Sequence, residues 1–151
     1  MKNLLDKQTK EEILERIDKL TPETKALWGK MKVNQNLRHL NDALLIPLNE
    51  LDPTLVNPPK IPKWLLKFFL LNAKPPKEKA ETFKEINMVA NDIQPENFDQ
   101  EKEALKQTLE RFFASSSSFL PENKLAGKFT DKDWGKLNYN HMDHHLRQFG
   151  V

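Results

Sequence analysis

The chain has no cysteine. Disulfides, thiolate metal sites and cysteine nucleophiles are therefore excluded, and the chain is compatible with a reducing compartment. It has only four glycines, Gly29, Gly127, Gly135 and Gly150, each isolated, so there is no Gly-rich phosphate loop. No window alternates apolar and polar residues with β-branched enrichment, and no sheet is expected. The longest apolar run, Leu65 to Leu71, is interrupted by Lys67 and is too short to span a bilayer. Met1 to Lys7 lacks the apolar stretch of a signal peptide, so a cytoplasmic location is the expectation. Charge of neither sign dominates: 24 Lys and Arg face 22 Asp and Glu, a net charge of +2. A nucleic-acid partner is not expected from that balance. The local excess of Lys60, Lys63, Lys67, Lys74, Lys77 and Lys79, set among prolines, reads as a solvated loop and short helix with its lysines outward.

The 151 residues suit one domain with an ordinary core. A first helix is expected from about Thr9 to Leu20, with Thr9 and Glu12 as a capping box and Ile13, Leu14, Ile17 and Leu20 as its apolar stripe. A second runs from about Val33 to Ile46, striped by Val33, Leu37, Leu40 and Leu44 and stopped by Pro47. The proline-rich stretch between Pro47 and Pro95 carries a short helix near Ile61 to Leu71. The third long helix covers about Phe98 to Ala114, and Ser115 to Ser118 break the chain after it. Phe119 to Pro121 and Lys124 to Gly127 read as loop. The last helix starts at Thr130, with Asp133 completing a capping box, and reaches about Phe149. Four long amphipathic helices with short connections at two joins predict an all-α helix bundle.

Only four histidines occur, and three of them fall in His141-Met142-Asp143-His144-His145. His141 and His145 are four apart, one helical turn, and so share a face. At ~100° per residue both lie within ~20° of Trp134, in the middle of the apolar arc, with His144 at its edge and Gln148 about 40° away. His39 sits about 110° from the centre of the second helix's stripe, at the margin of its buried face. Two imidazoles in a core need partners for a donor and an acceptor nitrogen each. A divalent cation fills both acceptor sites; a pair of hydrogen-bonded histidines near a helix C-terminus is the plainer alternative. Met142 stands where a zinc protease of the H-E-x-x-H type has its glutamate, so that chemistry is excluded. Asp143 and Arg147 read as a surface ion pair, and Trp28, Trp64 and Trp134 as core.

The segments Trp28-Gly29-Lys30-Met31-Lys32-Val33-Asn34-Gln35, His39, and His141 to Gly150 together resemble the DinB/YfiT-like superfamily. More closely, they are similar to a branch of it known only as a domain of unknown function. The resemblance spans essentially the whole chain, loosely between Pro47 and Pro95. It implies a four-helix bundle with a short extra helix in the Pro-rich insertion, and a divalent metal held by His39, His141 and His145. His144, with Gln35 and Gln148, is then expected behind the ligands or at the pocket rim. Imidazole ligands suit zinc or nickel. The resemblance implies a metal-dependent enzyme, with thiol-dependent S-transfer or hydrolysis of a small molecule as the reaction and a low-molecular-weight thiol as cofactor. The alternative is a non-enzymatic ligand-binding or stress-response bundle whose metal site is structural or vestigial. Trp64, Leu65, Phe68, Phe69, Leu70 and Leu71 crowd more large apolar side chains than one helix face can bury, and a homodimer is expected from them.

Overall fold

The computed structural model describes residues 2–55, 57–75 and 83–151. Pro76, Lys77 and Lys79 of the basic stretch lie outside the described residues. Five helices make up about half of the described residues: α1 (Lys7–Asp18), α2 (Val33–Leu45), α3 (Lys63–Asn72), α4 (Phe98–Ala114) and α5 (Asp131–Gln148). A 3₁₀ turn, Lys84–Ile86, lies between α3 and α4. No helix among the described residues is long and apolar enough to cross a membrane.

The long helices share one core. Ile13 and Ile17 of α1, Leu37, Leu40 and Leu44 of α2, Leu105, Leu109 and Phe112 of α4, and Met142 and Leu146 of α5 are all buried. Their spacing of three and four residues is what turns each stripe inward, and each such side chain contributes roughly 1.5–3 kcal/mol by leaving water. Between α2 and α4 the guanidinium of Arg38 clasps buried Glu101 through two bonds, Nε to Oε2 at 2.7 Å and Nη2 to Oε1 at 2.6 Å. A carboxylate so deep in a core needs this fork-to-fork partner.

Three local readings are corrected. α1 begins at Lys7 rather than Thr9, and Thr9 is buried within it. Its N-cap is Asp6, whose side chain makes no capping bond. The start is fixed instead by Asn3, which accepts from the Leu5 amide, donates to the Lys132 carbonyl, and sits against α5. The backbone joins there too, Leu4 N donating to Gly135 O at 3.1 Å. A Cβ on Gly135 would lie 2.0 Å from Asn3 Oδ1, which explains a glycine in mid-helix. The loop after Pro121 contains a two-residue antiparallel pair, Glu122–Asn123 (β1) with Gly127–Lys128 (β2). Gly127 turns it at φ +75°. Its strands are too short to show a period. Finally, Lys67 does not point outward. Its ammonium reaches Asp133 at 2.8 Å and the Lys128 carbonyl at 2.7 Å, fastening α3 to the start of α5.

Other expectations stand closer to the observed elements. α2 starts at Val33 and α4 spans Phe98–Ala114. Thr130 and Asp133 cap α5 reciprocally, the Asp133 amide donating to Thr130 Oγ1 and the Thr130 amide to Asp133 Oδ2. The ends of α2 and α5 are joined through one residue: Leu120 N donates to Pro47 O at 2.9 Å, and Leu120 O accepts from Trp134 Nε1 at 2.7 Å. The C-terminal end of α2 thus lies beside the N-terminal end of α5, and the two helices run antiparallel.

Candidate metal centre

Antiparallel packing brings the middle of α2 to the last turns of α5. His39, His141 and His145 meet there, each able to offer a ring nitrogen, with the three nitrogens within 4.8 Å of one another. His39 Nε2 and His141 Nε2 are 2.9 Å apart. The rings approach edge to face, with centroids 4.7–4.8 Å apart in all three pairs.

Their neighbours fix which nitrogen is free. His39 Nδ1 lies 2.7 Å from the Ile86 carbonyl, which can only accept, so Nδ1 carries the proton and Nε2 keeps its lone pair. His145 Nδ1 lies 2.8 Å from Gln148 Oε1. The amide of Gln148 cannot be turned round, because its Nε2 donates to the Trp28 carbonyl at 2.7 Å. His145 therefore also donates through Nδ1 and has a bare Nε2. This is how histidines that bind metal are usually held from behind. The loop that receives Gln148 is tied down by a second bond, Leu27 N to Gln148 O at 2.8 Å.

Burial keeps the imidazoles neutral. The His39 pKa is lowered by desolvation, against a smaller opposing effect of the Ile86 carbonyl. His141 is pushed well below the usual range, first by burial and then by His145 and His39. His145 falls to about 3, again mainly by burial, although its bond to Gln148 works the other way. His141 and His145 keep one edge open to a cavity yet are otherwise enclosed by protein. His39, expected at the margin of its helix face, is 4% exposed. The 3₁₀ turn folds over it, which a helical wheel of α2 alone has no means to include.

His144 is 8% exposed and lines the same cavity, its ring edge-on to Trp28 at 6.0 Å and to His145 at 5.0 Å. Burial lowers its pKa as well, helped by Arg147. Gln148 lines the cavity and holds His145. Gln35 lies elsewhere: its Oε1 accepts from the Lys32 amide at the head of α2, and its Nε2 donates to the Ile93 carbonyl. Sequence reasoning passed over Ile86, whose contribution is a backbone carbonyl and leaves no mark in side-chain pattern. It also read Asp143 too simply. Besides Arg147 Nε at 3.0 Å, Asp143 holds Arg16 Nη1 of α1 at 2.9 Å, and Arg16 also donates to the Val151 carbonyl.

The donor set fits a divalent cation of borderline softness: neutral imidazoles, two with their lone pairs directed by a second hydrogen bond. The cavity beside them has a volume of about 850 Å³.

A family model described as "Protein of unknown function (DUF1569)" matches residues 1–150. The chain belongs to this family. No curated protein and no solved structure matches it. Membership assigns no reaction, so chemistry has to be argued from the three histidines and the cavity they border.

Proposed function

We propose that the protein is a metal-dependent enzyme of the DinB-like superfamily, a four-helix bundle formed by α1, α2, α4 and α5 with α3 as an addition. His39, His141 and His145 hold one divalent ion, zinc or nickel. The observation that carries this reading is the pair of fixed tautomers: Ile86 O and Gln148 Oε1 each accept a hydrogen bond from Nδ1–H, which leaves the Nε2 lone pairs of His39 and His145 for an ion. An ion held by three neutral ligands keeps its full charge and an open position, and so supplies Lewis acidity that makes a thiol or water more acidic and polarises an oxygen.

The chain's own part is to position and to exclude. Gln148 and the Ile86 carbonyl hold protons on His145 and His39 Nδ1, so neither ring can turn. The largely apolar wall of the cavity reduces the contact of a small-molecule substrate with bulk water. The class of reaction proposed is thiol-dependent S-transfer, with a low-molecular-weight thiol as cofactor, or hydrolysis. A cytoplasmic location suits a chain without cysteine that depends on free thiols.

Elemental analysis of tag-free protein purified without chelator tests the centre. One equivalent of zinc or nickel, lost in His145→Ala, is expected. Failure to bind added zinc or nickel at neutral pH removes the proposal. Turnover of thiol with an electrophile or ester, measured with and without metal, then separates the enzyme from a ligand-binding bundle with a structural ion.

A further inference from the structure

The cavity has an axis. The histidines of α2 and α5 lie at one end, while the Pro47–Leu120–Trp134 clip marks the other. From His145 to Trp134 is eleven residues, about 16 Å of helix. Between these ends the walls are largely apolar: Ala43 of α2 and Ile46 just after it, Leu137 and Trp134 from α5, Phe69 and Leu70 from α3. A volume of about 850 Å³ is that of a small-molecule site and is far more than a bound ion or water needs.

Among the described residues its charges have one sign. The described residues that line it include Lys30 and Lys74 and no carboxylate. A cationic head group would be repelled by these lysines and the proposed ion, whereas an anionic one is attracted by them.

Two buried amides face the cavity with work undone. Asn123 Oδ1 accepts from the Leu125 and Ala126 amides at 2.9 and 3.1 Å, which fixes its orientation and leaves Nδ2 without a partner among the described residues. Asn138 Nδ2 donates to the Trp134 carbonyl at 3.0 Å, leaving Oδ1 without a partner among the described residues. Asn123 is 3% and Asn138 4% exposed, and both line the cavity. A donor and an acceptor open to the cavity inside a largely apolar wall suit a ligand that carries both functions, such as an amide or a hydroxyl.

We propose that this cavity binds a medium-chain organic anion, its head group at the histidines, its chain along α5 towards Trp134, and a hydrogen-bonding group on its body engaged by Asn123 and Asn138. The head-group end rests on the metal centre proposed above; the apolar length, the lysines and the two asparagines do not.

Calorimetric titration of the zinc-reconstituted full chain with decanoate, acetate, decyltrimethylammonium and N-decanoylglycine tests this. Decanoate is expected to bind roughly tenfold or more tightly than acetate, because its chain leaves water. Decyltrimethylammonium is expected to bind no better than acetate. N-decanoylglycine is expected to bind more tightly than decanoate, with the gain lost in Asn138→Leu. Ala43→Phe, which fills the space one turn beyond His39, should weaken decanoate by a similar factor with zinc content unchanged; Leu137→Phe serves if that variant does not fold. Equal affinity for decanoate and acetate, or for decanoate and decyltrimethylammonium, with zinc bound, overturns the inference and leaves the metal centre standing. Charge- and chain-selective binding by a protein that takes up no zinc overturns the metal centre and supports the inference. Loss of both removes both.

Discussion

Gly29 and Gln148 are fitted to one another. A Cβ at Gly29 would lie 2.5 Å from Gln148 Nε2, and Gly29 has φ +80°, a conformation that other residues adopt at a cost. Gln148 in turn is the acceptor for His145 Nδ1. Gly29→Ala is therefore expected to displace Gln148 and release the His145 ring. Zinc affinity, measured by competition with a chromophoric chelator, should fall by roughly 10–100-fold, as when the partner behind a ligand is removed. Unchanged affinity would show that His145 needs no such support.

His39→Ala, His141→Ala and His145→Ala should each abolish stoichiometric metal binding while keeping helical circular dichroism and a cooperative thermal transition. The core is built by leucines, isoleucines and phenylalanines of four helices, so no ion is needed to assemble it. His144→Ala should lower metal affinity less than any of these. Equal loss in all four variants would mean that the ligand set is wrongly drawn.

Acid should destabilise the metal-free protein. An exposed histidine in the unfolded chain binds a proton below about pH 6.5. In the folded protein His145 does so only near 3, and His39 and His141 are also lowered. The unfolded state therefore binds more protons, and the stability present above about pH 6.5 is lost as pH falls towards the folded values. Each histidine contributes up to about 1.4 kcal/mol per pH unit over that range. Urea midpoints measured in chelator from about pH 8 down to 5 should decline below 6.5. A flat profile would contradict the enclosure of these rings.

Asp143→Ala should cost about 2 kcal/mol of stability, the order expected for lost hydrogen bonds to a charged group. It leaves Arg16, whose side chain is largely buried, without its carboxylate between α1 and α5. Thermal denaturation reads the loss. A shift as small as that of an ordinary surface pair would restore the simpler account of Asp143 with Arg147.

α3 carries Trp64, Phe68 and Phe69 at 71%, 57% and 48% exposure. A homodimer formed through this strip is the expected state in solution, since adjoining exposed aromatics mark partner surfaces. Light scattering at micromolar concentration should give twice the chain mass, reduced to the chain mass by Phe68→Glu. A monomer mass for the unmodified protein would leave the strip without a second copy.

Much of this architecture was legible in spacing. The stripes of α2 and α4 repeat every three or four residues and both helices lie where that period places them. His141 and His145 face one way because a turn of helix makes them. What spacing could not reach came from contacts between distant segments. Asn3 decides where α1 starts and why Gly135 is small. The 3₁₀ turn at Lys84–Ile86 buries His39. Lys67 finds Asp133 across sixty-six positions. The amides of Asn123 and Asn138 acquire meaning only beside a cavity that no single helix outlines.

The group that orients His39 is a peptide carbonyl. Any amino acid at position 86 supplies the same oxygen, so the imidazole's setting does not depend on the Ile86 side chain, which is held to an apolar type by its own burial in the core. A one-residue insertion or deletion between α3 and α4 that moved this carbonyl is a different matter. Across descendants of this chain, the turn before α4 should keep its length beside His39 and apolar side chains at Phe83, Ile86 and Met88, while its exposed positions vary.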